Sequence, residues 1–175
     1  MKQLALTGLL LLGACGGDGL VPVVRRDEAS PTRDEKMFRQ NREAVILEDR
    51  DIDLLVERHA WPAEATPTGV RYVIRRDVPG ETIRPEQWAT VNYRVELVNG
   101  DTAYATEPGH PESFRVEHDD VESGLHEAIQ LLSPGDSATF IIPSYRAHGL
   151  IGDLDRIPPR STVVYHIGLV SIQER

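Results

Sequence analysis

The segment SGLHEAIQLLSPGDSATFII (residues 123–142) decides the fold, because its hydrophobic residues change their spacing partway along. Leu125 and Ile129 recur at helical spacing, and Ser133-Pro134-Gly135 ends that run. From Ala138 onward, apolar residues alternate with others in the two-residue period of a strand. The segment therefore predicts a short helix followed directly by a strand.

Strand patterns lie on both sides of this segment. Residues 89–97 alternate over a long strand that the Asn99-Gly100 hairpin signal closes. Shorter strands are predicted over 70–74, 102–106 and 113–117, and a final one over 162–172. One short helix among hairpin-connected strands indicates an α+β fold, in which a bent antiparallel sheet wraps around the helix.

Residues 34–62 are predicted to form a helical arm ahead of the domain at 66–175. Phe38, Val45 and Ile52 recur at spacings of seven, and a charged stretch at 48–51 divides the arm into two predicted helices. An apolar stripe this thin needs a surface to lie on. Two interpretations stay open: an arm or spacer that packs on the domain, and a helix that binds a partner.

The first 33 residues predict export and a membrane anchor. Residues 1–14 place a basic start and a short apolar run ahead of Gly13-Ala14, which is the layout of an export signal. Cys15 follows directly and resembles the lipidated cysteine of bacterial lipoproteins, so 15–33 is predicted to be a flexible tether. The predicted location is the cell envelope, with a lipid anchor on the periplasmic face of the outer membrane. The alternative is an ordinary cleaved signal peptide.

Composition and motifs exclude several classes of function. A formal net charge of −9 argues against nucleic acid as a partner. The sequence has no glycine-rich phosphate loop, no Gly-x-Ser-x-Gly and no His-Glu-x-x-His, so it predicts neither a cofactor nor a metal. His118-Asp119-Asp120 is interpreted as a solvated turn, and Asp153 and Asp155 as residues that keep a loop soluble.

Seven short motifs in order resemble the FKBP-type peptidyl-prolyl cis-trans isomerase family over residues 66–173. They are Val91-Asn92-Tyr93, Asn99-Gly100-Asp101-Thr102, Phe114, Gly124-Leu125, Pro134-Gly135, Ile142-Pro143-Ser144 and Ile157-Pro158-Pro159. The resemblance implies the same α+β fold and an isomerase of X-Pro peptide bonds. Its expected substrates are proline-containing, unfolded or nascent exported polypeptides, held in an apolar pocket without covalent chemistry.

The resemblance also implies the residues of the pocket. Its walls would be Tyr93, Tyr104, Phe114, Val121, Ile157 and Tyr165, with Leu125 as the floor and His148 as a hydrogen-bond donor. The backbone N–H of Glu122 would bind a substrate carbonyl. Without the resemblance, inward aromatic and aliphatic residues of a β-rich domain would be interpreted as core.

Three positions depart from the family pattern. Ala105 stands where an aspartate is usual, Leu125 where a tryptophan is usual, and His148 where a tyrosine is usual. These departures leave a second hypothesis open, a proline-binding chaperone or envelope-assembly module with little or no isomerase activity. A third hypothesis is a structural lipoprotein whose helical arm pairs two copies. The sequence does not predict the oligomeric state.

Overall fold

A computed structural model describes residues 32–174 and confirms the α+β class. The predicted export signal, Cys15 and most of the predicted tether lie outside the described residues. The helices are α1 (Arg33–Arg58) and α2 (Ser123–Ile129), with a 3-10 turn at Ser144–Arg146. The strands are β1 (Glu64–Ala65), β2 (Arg71–Arg76), β3 (Trp88–Leu97), β4 (Thr102–Ala105), β5 (Glu112–Arg115), β6 (Ser137–Ile142) and β7 (Val163–Gln173). Within residues 32–174, no helix is both long and apolar enough to cross a membrane.

The strands form one antiparallel sheet in the order β1-β2-β6-β7-β3-β4, and β5 also pairs with β3. The strand that comes last in sequence, β7, therefore lies in the middle of the sheet. Tyr165 of β7 has Phe140 of β6 on one side and Val95 of β3 on the other. Alternation places Tyr165, Ile167 and Leu169 in the main core.

Helix α2 packs against one face of the sheet, as its apolar spacing predicts. Leu125, Ala128 and Ile129 are buried in the same cluster as Phe140 and Ile142. The approach is so close that a Cβ on Gly124 would collide with Ile142 Cγ2. Glycine is therefore required at this position, and the start of α2 is held directly against β6.

Helix α1 lies on the opposite face of the sheet, and its fully buried residues are in its second half. Ile52 and Leu55 are buried against Ile141 of β6 and Val164 of β7. Phe38, which the sequence placed on the same stripe, is 69% exposed. The predicted stripe is therefore a packing surface near Ile52 and a solvent-exposed one near Phe38.

The predicted division of the arm into two helices is wrong, because α1 is continuous from Arg33 to Arg58. The charged residues that suggested a break have partners outside the helix. Glu48 accepts hydrogen bonds from Ser144 and Thr162, and Asp49 forms a 3.0 Å ion pair with Arg71. Their side chains bind the domain while the helical backbone continues beneath them.

Candidate functional site

A cavity of about 540 Å³ opens between the sheet and the start of α2. Strands β3, β4 and β7 supply one side, the turn into α2 a second, and the loop after β6 a third. Its lining residues are Tyr93, Val95, Tyr104, Asp120, Val121, Glu122, Ser123, Ala147, His148 and Tyr165. We call this cavity the tyrosine pocket.

The structure brings six of the nine proposed site residues together in the tyrosine pocket. They are Tyr93, Tyr104, Val121, Glu122, His148 and Tyr165. The other three, Phe114, Leu125 and Ile157, do not line it and are 7%, 5% and 2% exposed. They belong to the core cluster against which Tyr93, Tyr104 and Val121 pack. Their predicted contact with a substrate stays a prediction.

Ala105, the position without the family's usual aspartate, ends β4 with an exposed side chain outside the pocket lining.

Each of the three tyrosine hydroxyls in the pocket donates to a carboxylate. Tyr93 donates to Glu112 at 2.9 Å, Tyr104 to Asp153 at 2.5 Å, and Tyr165 to Glu122 at 2.7 Å. Because each hydroxyl proton is already donated to a carboxylate, the aromatic rings are what these residues offer to a ligand.

The same environment keeps the three hydroxyls protonated. Burial, followed by the bond to Glu112, raises the pKa of Tyr93 to about 12. The hydrogen bond to Asp153, followed by burial, raises the pKa of Tyr104 to about 12. Burial and the adjacent Glu122 carboxylate raise the pKa of Tyr165 as well. At neutral pH the three tyrosine side chains are therefore uncharged.

Glu122 lines the pocket with its side chain, whereas from the sequence only its backbone N–H was expected to contact a substrate. The Oε1 atom lies 2.7 Å from both Tyr165 Oη and His148 Nε2, and the side chain is 10% exposed. The His148 contact is at ion-pair distance without hydrogen-bond alignment. The Glu122 N–H has no hydrogen-bond partner among residues 32–174, so this donor at the start of α2 is unpaired.

Asp153 has a structural role, and its interpretation as a residue that only keeps a loop soluble is wrong. Besides Tyr104, its carboxylate accepts the N–H groups of Asp155 at 2.9 Å and Ile157 at 2.8 Å. Burial alone would raise the pKa of Asp153, but these hydrogen bonds outweigh it and lower the pKa to about 2. An aspartate that binds the N–H two residues ahead is a common turn motif, and this is the sequence signal that could have identified it.

The chain is an α+β domain with a cavity between its antiparallel sheet and a short helix. The model of the FKBP-type peptidyl-prolyl cis-trans isomerase family matches residues 80–170, about half of the chain. The chain therefore belongs to this family.

Similar proteins support the same assignment. The chain is 34% identical over 112 residues to a probable FKBP-type peptidyl-prolyl cis-trans isomerase FkpA of Neisseria meningitidis. The aligned segment covers 62% of this chain and 40% of the relative. The chain is 29% identical over 109 residues to the outer membrane protein MIP of Legionella longbeachae, and this alignment covers 62% of this chain and 46% of the relative. The chain thus spans less than half the length of these two relatives.

A solved structure is similar in fold. The crystal structure of FkpA from Escherichia coli superimposes with a TM-score of 0.65 at 24% identity, over 81% of this chain and 66% of that one.

Proposed function

We propose that this protein catalyses cis-trans isomerisation of X-Pro peptide bonds in the tyrosine pocket. The observation that carries the proposal is the position of this pocket inside the segment that matches the family model. A proline ring would lie against the faces of Tyr93, Tyr104 and Tyr165. Phe114, Leu125 and Ile157 would support these walls from the core.

Desolvation supplies the catalytic effect in this proposal. Rotation about a peptide bond has a barrier of about 18–20 kcal/mol, because the planar amide is stabilised by a polar resonance form. The twisted amide has lost that form and is less polar, so exchanging water for the ring faces of Tyr93, Tyr104 and Tyr165 costs it less than it costs the planar amide. The unpaired N–H of Glu122 would hold a substrate carbonyl while the bond rotates.

An NMR exchange assay on a proline peptide tests the proposal without a coupling protease. We expect turnover by the wild type and a loss of about tenfold in kcat/KM for Tyr104→Ala, since one pocket wall is removed. Tyr145→Ala is the matched control, because Tyr145 is partly exposed and lies outside the tyrosine pocket. A wild-type rate equal to the uncatalysed rate would disprove the proposal.

We propose further that the protein acts on exported, proline-containing polypeptides in the cell envelope, anchored through lipid on Cys15. The signal-like residues 1–14 support this location, as does the family relation to an outer membrane protein. Cells grown with labelled palmitate should label the full chain, and Cys15→Ser should remove the label. A wild-type chain that is cleaved but unlabelled would indicate an ordinary signal peptide.

A second candidate function, binding of proline segments without turnover, is favoured by the Glu122 carboxylate and His148 in the pocket. Polar groups that bind the planar and the twisted amide equally would give affinity without acceleration. A peptide that titrates the Tyr93 and Tyr165 resonances but exchanges at the uncatalysed rate would identify a binder.

A further inference from the structure

The tyrosine pocket contains a carboxylate that a proline ring would not use. Glu122 makes both of its contacts, to Tyr165 and His148, through Oε1. Among the described residues, none donates a hydrogen bond to Oε2. Because the side chain is only 10% exposed, a peptide that covers the pocket would remove much of the remaining water from this oxygen.

The charges around the pocket are mostly negative. Asp120 lines it together with Glu122, and Asp153 stands behind Tyr104. Two nitrogen-bearing side chains are near. His148 lies against Oε1, and the Arg156 guanidinium lies 5.2 Å from the Tyr104 ring centroid and donates to the Ala103 carbonyl. Arg156 is not a lining residue, so Oε2 keeps no cationic partner from the described chain.

Once a bound peptide covers the pocket, a carboxylate oxygen that has no donor loses its water at a cost, and a cation from the ligand offsets that cost. We propose that the tyrosine pocket prefers segments in which lysine or arginine directly adjoins the proline, with the cationic group contacting Glu122 Oε2. This inference rests on the proposed function, because it assumes that the proline ring occupies the pocket. Glu122 would then hold a substrate carbonyl with its N–H and determine sequence preference with its side chain.

Matched peptides test the preference. One series carries lysine, acetyl-lysine, leucine or glutamate immediately before a single proline, and a second series carries them immediately after it. Affinity is measured by fluorescence anisotropy and isomerisation by NMR exchange. We expect lysine to bind about fivefold tighter than acetyl-lysine in at least one series, because the two differ in charge at nearly equal shape. Glutamate should bind weakest.

Glu122→Gln assigns the effect to one residue. It should bring the ratio of lysine to acetyl-lysine affinity close to one, whereas Glu57→Gln, on an exposed position of α1, should leave the ratio unchanged. A preference that survives Glu122→Gln would overturn the assignment. Equal wild-type affinities for lysine and acetyl-lysine in both series would overturn the inference without any variant, even if Glu122→Gln fails to fold.

The two readouts separate this inference from the proposed function. Absence of turnover with every peptide would overturn the isomerase proposal and leave the affinity ratio valid. Turnover without a charge preference would support the isomerase and overturn the inference.

Discussion

At the scale of single residues, short polar side chains fix the large aromatic ones. Tyr104 belongs to β4, whereas Asp153 belongs to the loop after β6, and their hydrogen bond joins the two. Asp153 also closes its own turn through the Asp155 and Ile157 N–H groups. One carboxylate therefore sets the position of a pocket wall and the shape of the loop beside it.

The pKa of Asp153 predicts an acid-sensitive loop. Its folded-state value of about 2 is below the ordinary 3.8, so its stabilising contribution is complete above about pH 4 and is lost as the pH falls through about 2. Between pH 4 and pH 2, we expect the Tm of Asp153→Asn to fall less steeply with decreasing pH than the Tm of the wild type. Asp155→Asn, an exposed neighbour, should retain the wild-type slope. Parallel plots of Tm against pH for the wild type and Asp153→Asn would contradict this prediction.

The bond from Tyr165 to Glu122 predicts a measurable stability cost. Tyr165 is 6% exposed, so Tyr165→Phe leaves a nearly buried carboxylate without its best-aligned donor and should cost about 1–3 kcal/mol of unfolding free energy. Tyr72→Phe is the matched control, because it removes a 2.7 Å bond to Glu64 that is exposed to solvent. Chemical denaturation of both variants measures the difference. Equal losses would show that burial adds nothing to the Tyr165 bond.

Only part of the tyrosine pocket could be predicted from the sequence. The family resemblance predicted Tyr93, Tyr104 and Tyr165 as pocket walls, and all three line one cavity, where their contact with a substrate stays a prediction. It did not identify the Glu122 carboxylate or the role of Asp153. Where those side chains go depends on Tyr165 and Tyr104, which lie 43 and 49 residues away in the sequence.

At the scale of elements, α1 holds the long loop between β6 and β7 at both of its ends. Glu48 accepts the Ser144 N–H at 2.6 Å, the Ser144 hydroxyl at 2.8 Å and the Thr162 hydroxyl at 2.6 Å. This loop carries His148, Asp153 and Ile157. A single helical residue therefore connects the opposite face of the sheet to the loop that borders the pocket.

Removal of this carboxylate should loosen the loop. Glu48→Ala leaves the buried Ser144 and Thr162 donors unpaired and should cost about 2–4 kcal/mol. It should also accelerate hydrogen exchange at the Ser144 N–H. Glu43 is an exposed residue of the same helix. Glu43→Ala should change the free energy of unfolding by no more than about 0.5 kcal/mol and the exchange rate at the Ser144 N–H by no more than about twofold. Unchanged exchange at Ser144 would contradict the structural link.

The element boundaries show why local patterns were sufficient in one place and not in another. The switch from helix to strand between α2 and β6 was correct, because Pro134, Gly135 and the apolar spacing are local signals. The predicted break in α1 was wrong, because Glu48 and Asp49 suggest a solvated turn until Ser144, Thr162 and Arg71 are known to bind them.

At the scale of the whole molecule, α1 and the sheet share a second, smaller hydrophobic core. Ile52 and Leu55 cover Ile141 and Val164 on the face that α2 leaves free. The strands β6 and β7 are therefore covered on both faces where Ile141 pairs with Val164, and there the neighbouring residues are all apolar and buried: 140–142 in β6 and 163–165 in β7.

Adjacent leucines of α1 test whether this core contributes to global stability. Leu55 is 3% exposed and Leu54 is 44% exposed, so Leu55→Ala should cost about 2–4 kcal/mol and Leu54→Ala less than about 1 kcal/mol. Both should unfold in a single transition, by circular dichroism of the helix and by fluorescence of Trp88 in the sheet, measured in a Trp61→Phe background because Trp61 packs against the α1 core. A separate early loss of helical signal in Leu55→Ala would show that α1 unfolds independently.

The position of β7 has a consequence for how the chain is made. Before its residues are synthesised, β1, β2 and β6 can pair with one another, and β3 can pair with β4 and β5, but these two groups have no strand between them. The growing chain would contain two sheet fragments, with unpaired edges on β6 and β3. The free backbone N–H and C=O groups of such edges can pair with strands of other chains. Only after Gln173 has emerged can one strand join both. A domain proposed to assist the folding of others thus completes its own sheet late, after translation has passed nearly all of its described residues.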